Sequence, residues 1–296
     1  MNKKLAAVFL ALATSAAQAA VLVVSTGYRV EQFDSVSGAD LGTLATLPGQ
    51  AMGLAFDGSG NLYAASRTAP VGTIYKIAPG GAVSTFATGF ANATGLAFDG
   101  SGNLYLADTS PQGDGEIYKI TTSGTVSLFA GGASAGLSSP FGLAFDSGGN
   151  LFAACFGSNT IRKITPGGTV STFAHQPNAI GLAFDTVGNL YAGDYDGKIT
   201  KFTLSGVGST FADQGSISTN GIAFDADGNL FTVSGGPGKI NKIAPDGTVS
   251  TLANTGGLFI AVATPEPSSL ALLSIGLGLT LLSRRHRETL KATRQG

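Results

Sequence analysis

The pentapeptide Gly-Leu-Ala-Phe-Asp starts at Gly53, Gly95, Gly142 and Gly181, and returns as Gly-Ile-Ala-Phe-Asp at Gly221. The start-to-start distances are 42, 47, 39 and 40 residues. A chain with this period folds as an array of like units, because a unit this small cannot bury its apolar face alone. Each copy reads as four short strands. The pentapeptide is the first, and Asn-Leu-Tyr-Ala-Ala or a variant is the second. The third is Ile-Tyr-Lys-Ile at Ile74 and Ile117, becoming IRKI, ITKF and INKI downstream. The fourth is Val-Ser-Thr-Phe-Ala or a variant, from Val83, Val126, Val170 and Val249, with a looser version from Val207. Asp-x-x-Gly-Asn joins the first two strands, a turn in which Asp and Asn bond local backbone and Gly admits positive φ. Four strands in about forty residues is the size of one β-propeller blade.

The two ends of the body settle the blade count. Residues 21–47 contain LVVSTG, YRVEQF and DLGTLATL, matching second, third and fourth strands with no first strand before them. Residues 257–262, GLFIAV, resemble a first strand with nothing after it. The expected fold is therefore all-β: a six-bladed propeller closed by the N- and C-terminal strands of the body, the C-terminal strand innermost. Such closure removes the open edge that an unclosed array exposes. A β-solenoid is the rival, but its first and last units need not complement one another.

Phe56, Phe98, Phe145, Phe184 and Phe224 recur at one position. They are expected between neighbouring blades, each burial contributing about 1.5–3 kcal/mol. Asp57, Asp99, Asp146, Asp185 and Asp225 are expected to form turns, with Lys76, Lys119, Lys163, Lys201 and Lys242 nearby, partly neutralising them. Cys155 is the single cysteine, and His175 and His286 are the two histidines. These counts exclude an intramolecular disulfide framework and any multi-Cys or His-rich metal centre. Residues 20–265 carry 10 basic and 16 acidic side chains, a net of −6. A body with that balance is a poor partner for nucleic acid.

The chain ends read as addresses. Lys3 and Lys4, an apolar run from Leu5 to Ala13, and Ala17-Gln18-Ala19 form the three parts of a secretory signal helix, with cleavage expected before Ala20. Pro265-Glu266-Pro267 precedes an uncharged apolar run over 268–283 and a basic cluster of Arg284, Arg285 and Arg287. That order describes a stop-transfer transmembrane helix with its tail held on the cytoplasmic side. It closely resembles the PEP-CTERM sorting signal, which implies an exosortase-type membrane protease as partner. The expected division is signal 1–19, propeller 20–263, sorting signal 264–287 and basic tail 288–296.

Across residues 21–262 the repeat resembles the NHL-repeat propellers and their streptogramin lyase-like and gluconolactonase-like relatives. The resemblance implies a propeller fold more firmly than an activity, because these families include binding scaffolds, hydrolases and lyases. Asn220-Gly221 is similar to an Asn-Gly stretch that supplies a metal ligand in the gluconolactonase-like group. The matching positions in other blades are Thr94, Phe141 and Ile180, which puts that metal site in doubt. The lyase-like group uses His and Glu, which are scarce here. Asp225-Ala226-Asp227-Gly228-Asn229 resembles half a calcium loop, but lacks the distal Glu and falls in the standard turn.

Residues that break the repeat are the informative ones. Ser25, Ser66, Asp108, Cys155, Asp194 and Ser234 end the second strands, where one face of the ring has its variable loops. Asp108, Asp114, Glu116, Cys155, Asp194, Tyr195 and Asp196 form a candidate ligand rim. It is read either as an ordinary polar rim or as a site for Ca²⁺ or another ligand. Cys155 with His175 is the one candidate nucleophile–base pair. The leading expectation is an exported, non-catalytic binding or structural module of the envelope or extracellular matrix. Its partner would be a polysaccharide or envelope protein, with membrane contact through residues 268–283 before processing. The alternative is a metal-dependent lactonase- or lyase-like enzyme.

Overall fold

The computed structural model describes residues 19–67, 71–109, 114–131, 135–215, 218–235 and 238–263. The expected signal helix, the Pro-Glu-Pro motif at 265–267 and the basic cluster Arg284, Arg285 and Arg287 lie outside the described residues. Among the described residues no helix is long and apolar enough to cross a membrane.

Residues 19–263 form one compact unit of six four-stranded antiparallel sheets. Blade 1 is shared between the two ends of the body. Its innermost strand is Ile260–Ala263, followed outward by Val21–Thr26, Arg29–Asp34 and Asp40–Thr46. Blades 2 to 6 begin with the inner strands Gln50–Phe56, Ala93–Phe98, Pro140–Phe145, Ala179–Phe184 and Thr219–Phe224, and each runs outward in chain order. The antiparallel pairing matches Val21 with Ala263, Leu22 with Val262, Val23 with Ala261 and Val24 with Ile260. Ladder bonding continues past the strand, with Ser25 N–H donating to Phe259 O at 3.0 Å and Leu258 N–H to Ser25 O at 2.9 Å.

The register corrects one sequence expectation. Gly257 does not stand where Gly53 and its repeats stand. A Cβ placed on Gly53 would meet Gly95 Cα at 2.9 Å, and one placed on Gly221 would meet Phe259 Cα at 2.7 Å. Phe259 therefore occupies the glycine position of blade 1, two residues later than the resemblance of GLFIAV to GLAFD implies. The reason is packing. Gly257 must pass against the seam, where its Cβ would lie 2.3 Å from Val24 Cγ1, while Phe259 enters the core cluster of Met52 and Leu54.

The residue after each ring glycine points towards the axis. Leu54, Leu96, Leu143, Leu182, Ile222 and Ile260 are 5–7% exposed and surround an axial cavity of about 80 Å³. Between blades, second-strand rings meet first-strand phenylalanines edge to face. Tyr63 lies 5.1 Å from Phe98, Tyr105 5.0 Å from Phe145, Phe152 5.1 Å from Phe184 and Tyr191 5.0 Å from Phe224. The expected inter-blade packing of the repeated phenylalanines is thus seen at four junctions. At the fifth, Phe56 packs against the aliphatic blade 1, which has no second-strand aromatic.

Candidate functional site

Two faces follow from the antiparallel order. One carries the tight Asp-x-x-Gly-Asn turns, and the other carries the longer loops within and between blades. The turn face is occupied by its own structure. Asp99 accepts from Ser101 N–H at 2.9 Å, Asn103 N–H at 2.8 Å and Asn103 Nδ2 at 2.8 Å, and the same amide reaches Asp57, Asp146, Asp185 and Asp225. Lys76, Lys119, Lys163 and Lys201 stand 3.9–4.0 Å from the carboxylate of their own blade. All five repeat lysines, Lys242 included, lie 5.2–5.6 Å over a second-strand ring. Burial raises the affinity of Asp57, Asp99 and Asp185 for a proton. The Asn side chains, backbone N–H groups and lysines outweigh it, leaving these carboxylates below their ordinary value.

The loop face holds the residues that break the repeat, and their side chains turn inward. Asp108 is 4% exposed and accepts from Ala91 N–H at 2.9 Å and Asn92 N–H at 2.5 Å. Asp194 is 5% exposed and accepts from Asp196 N–H at 3.0 Å and Lys198 N–H at 2.9 Å. Burial raises its pKa despite these bonds. Ser25 and Ser234 do the same work, accepting from Phe259 N–H and Lys239 N–H, each at 2.9 Å. Second-strand ends thus hold loops to the ring by satisfying buried N–H groups, which are costly to leave unpaired.

The remaining candidates divide. Glu116 is opposite Asp108 across the strands and accepts from Tyr118 Oη at 2.5 Å, which with burial raises the tyrosine to about 12. Asp114 is exposed and bridges to Ser138. Cys155 is fully buried, its Sγ 3.7 Å from Ala153 O, and burial pushes its thiol up to about 12. His175 is exposed on the outermost strand, with Thr160 of the third strand paired between it and Cys155. The candidate nucleophile and base are therefore separated by a strand. Among the described residues no three His, Cys, Asp or Glu side chains gather as a metal site.

Two features were not foreseen. The first is a cavity of about 260 Å³ at the closure seam, lined by Thr26, Gln50, Gly235 and Leu258 among others. Among the described residues Thr26 Oγ1 is buried with no hydrogen-bond partner. Gly27, Gly256 and Gly257 complete the lining of this cavity. No sequence signal marks it, because it exists only once the ends meet. The second is a set of contacting rings on blades 4 and 5. Phe141 and Phe156 are 6.0 Å apart, and Phe156 and Tyr195 are 6.4 Å apart. A signal for these was present. The residue after the second strand is Thr26, Arg67, Thr109, Phe156, Tyr195 and Gly235 in turn, aromatic in two adjacent blades alone.

Residues 50–191 match the SMP-30/Gluconolactonase/LRE-like region. The match spans just under half of the chain and ends within blade 5. No curated protein matches the whole sequence. Among solved structures, the ring is similar to virginiamycin B lyase from Staphylococcus aureus with quinupristin, at 16% identity and TM-score 0.60, covering 84% of this chain and 93% of that one. It is similar to a gluconolactonase from Xanthomonas campestris at 18% identity and TM-score 0.58, covering 74% and 84%. A protein of unknown function from Bacteroides caccae has TM-score 0.67 at 13% identity, covering 83% and 100%. At these identities the likeness is one of fold. Of the two expectations from sequence, the comparisons favour the lactonase- or lyase-like one over the non-catalytic module.

Proposed function

We propose that this chain is a lactonase- or lyase-like propeller that takes a small hydroxylated ligand in the seam cavity of its loop face. The carrying observation is that cavity, lined by the Thr26 and Gln50 side chains and by the backbone of Gly27, Gly256 and Gly257. Uncharged donors and acceptors suit hydroxyl and carbonyl groups better than an anion. The match over residues 50–191 supports the class of chemistry. A catalytic metal does not fit the residues at the channel mouth. Thr94 Oγ1 is committed to Ala107 O and Pro140 O, both at 2.9 Å. Phe141 and Ile180 offer no ligand atom in their side chains, and Asn220 offers one amide. No step through a metal is drawn.

A second reading keeps the non-catalytic module, favoured by the rim carboxylates of Asp108 and Asp194 being spent on backbone N–H groups. In either reading the end segments export the ring and present Pro265-Glu266-Pro267 to an exosortase-type protease. One preparation tests these points. The chain is expressed in an exosortase-containing host, and its released form is assayed for lactone opening and streptogramin-type ester cleavage, with and without EDTA. We expect a released body beginning at Ala20, with turnover that survives EDTA and is lost in Gln50→Ala. Absence of turnover on every substrate would leave the binding module as the better reading. Turnover abolished by EDTA would overturn the metal-free site, and an uncleaved, cell-retained chain would overturn the sorting reading.

A further inference from the structure

We infer that the rings on blades 4 and 5 are a glycan-binding step, engaging successive pyranose units of a polysaccharide chain. The inference is independent of the seam cavity. Tyr195 is 58% exposed, Phe156 and Phe141 are half-buried, and the three rings run in contact from the rim towards the channel mouth. Tyr195 offers an exposed ring to one sugar unit, and the partly exposed Phe156 and Phe141 extend the apolar surface towards the next.

Polar groups suited to sugar hydroxyls are fixed beside them. Asn178 Nδ2 donates to Asp196 Oδ2 at 3.2 Å, which leaves carboxylate and amide capacity on the exposed Asp196 and the half-buried Asn178. An amide with a carboxylate supplies both donors and acceptors, as hydroxyl recognition requires. The backbone under the rings is tied down. Phe156 N–H donates to Ser139 O and Tyr195 N–H to Asn178 O, each at 3.0 Å, and Asn178 N–H donates to Asn159 Oδ1 at 3.0 Å. Ser139, Asn159 and Asn178 hold φ of 46°, 54° and 54°, and among the described residues they are the non-glycine positions with positive φ. Left-handed backbone collected in one sector, holding one exposed ring and its half-buried neighbours in place, is the pattern of a preorganised binding surface. Asp194, buried under Tyr195 and bonded to Asp196 N–H, becomes a positioning residue rather than a ligand contact. A protein partner fits less well, because the patch offers one strongly exposed ring and lacks the wide apolar centre of a protein interface.

Affinity electrophoresis of the closed body, residues 19–263, through gels containing soluble glucans, xylan, alginate or hyaluronan tests the step. We expect retardation by at least one polymer, weakened about tenfold by either Tyr195→Ala or Phe156→Ala, equivalent to about 1.4 kcal/mol. Tyr195→Phe should retain binding. Tyr28→Ala, removing an equally exposed tyrosine of blade 1 that is 62% exposed, should leave it unchanged. Thermal melts confirm that the variants fold. Failure of every polymer to retard the body, or equal loss in the Tyr28→Ala control, would overturn the inference. A protein captured through the same rings with no glycan retardation would overturn it too. Lactone turnover unchanged in Tyr195→Ala would separate this step from the seam cavity.

Discussion

Asp99 illustrates how one residue type serves opposite ends of the same strands. On the turn face it is a repeated carboxylate held by Asn103 and Lys119. On the loop face Asp108 and Asp194 are buried singletons holding loops. The shift in proton affinity of Asp194 has the opposite sign to that of the turn carboxylates. Asp57, Asp99 and Asp185 sit below the ordinary 3.8, so the folded state binds fewer protons than the unfolded chain near that pH. Their contribution is fully present above 3.8 and is lost as pH falls through the lowered folded values. Asp194 is raised, so it opposes folding once pH climbs past 3.8. Urea midpoints measured from pH 6 downward should fall steeply below about pH 4. Asp99→Asn should flatten that fall, while Asp194→Asn, by removing a group whose protonation relieves a folding penalty, should steepen the loss as pH drops towards about 4. These roles were only half legible in sequence. Five aspartates in five identical turns declared themselves, whereas the burial of Asp108 and Asp194 depended on loops whose course no local pattern encodes.

At the scale of the element, the fourth strand does more than its Val-Ser-Thr-Phe-Ala wording suggests. In every blade the pairing of third and fourth strands slips at one equivalent place, leaving Leu44, Phe86, Phe129, Phe173, Phe211 and Leu252 as the extra residue of a β-bulge, and blades 1 and 2 slip a second time. The bulge turns the phenylalanine under the sheet, where Phe86 meets Tyr63 at 4.9 Å and Phe173 meets Phe152 at 4.9 Å. It also twists the outer edge, which discourages edge-to-edge pairing with another chain. The bulge carbonyl then points at the next blade. A Cβ on Gly206 would lie 2.4 Å from Phe173 O, so the glycine in that turn is required by its neighbour as well as by its own φ of +83°. Gly188 shares the positive φ, at +91°, but its nearest atom would be Leu204 Cδ2 at 4.0 Å. Gly206→Ala should therefore destabilise by about 1–3 kcal/mol more than Gly188→Ala, the added cost of overpacking. Equal urea midpoints for the two variants would contradict that docking.

At the scale of the whole molecule, the ring depends on one short strand. Residues 260–263 bond to 21–24 and pack beside the inner strands of blades 2 and 6. Removing them would expose an edge on blade 1 and open the seam where Phe259 and Met52 share a core. A body ending at Thr255 should lose stability throughout, with hydrogen exchange accelerated in blades 3 to 5 as well as at the ends. Protection retained in those distant blades would show that the array stands without closure. The seam cavity should disappear with the strand, which makes the same truncation a control for any activity assigned to it.

The repeat period, the four-strand blade, the count of six and the partnership of the two ends were determined by sequence alone. Each is a consequence of local patterning, turn chemistry and the arithmetic of a missing strand. Tertiary structure alone decided that Phe259, rather than Gly257, takes the ring-glycine position of blade 1. It also decided that Asp108 and Asp194 face inward, that a cavity opens at the seam, and that Phe141, Phe156 and Tyr195 meet. Those depend on contacts between residues in different blades, where register and loop path are set by packing and a shift of two residues leaves the local pattern intact.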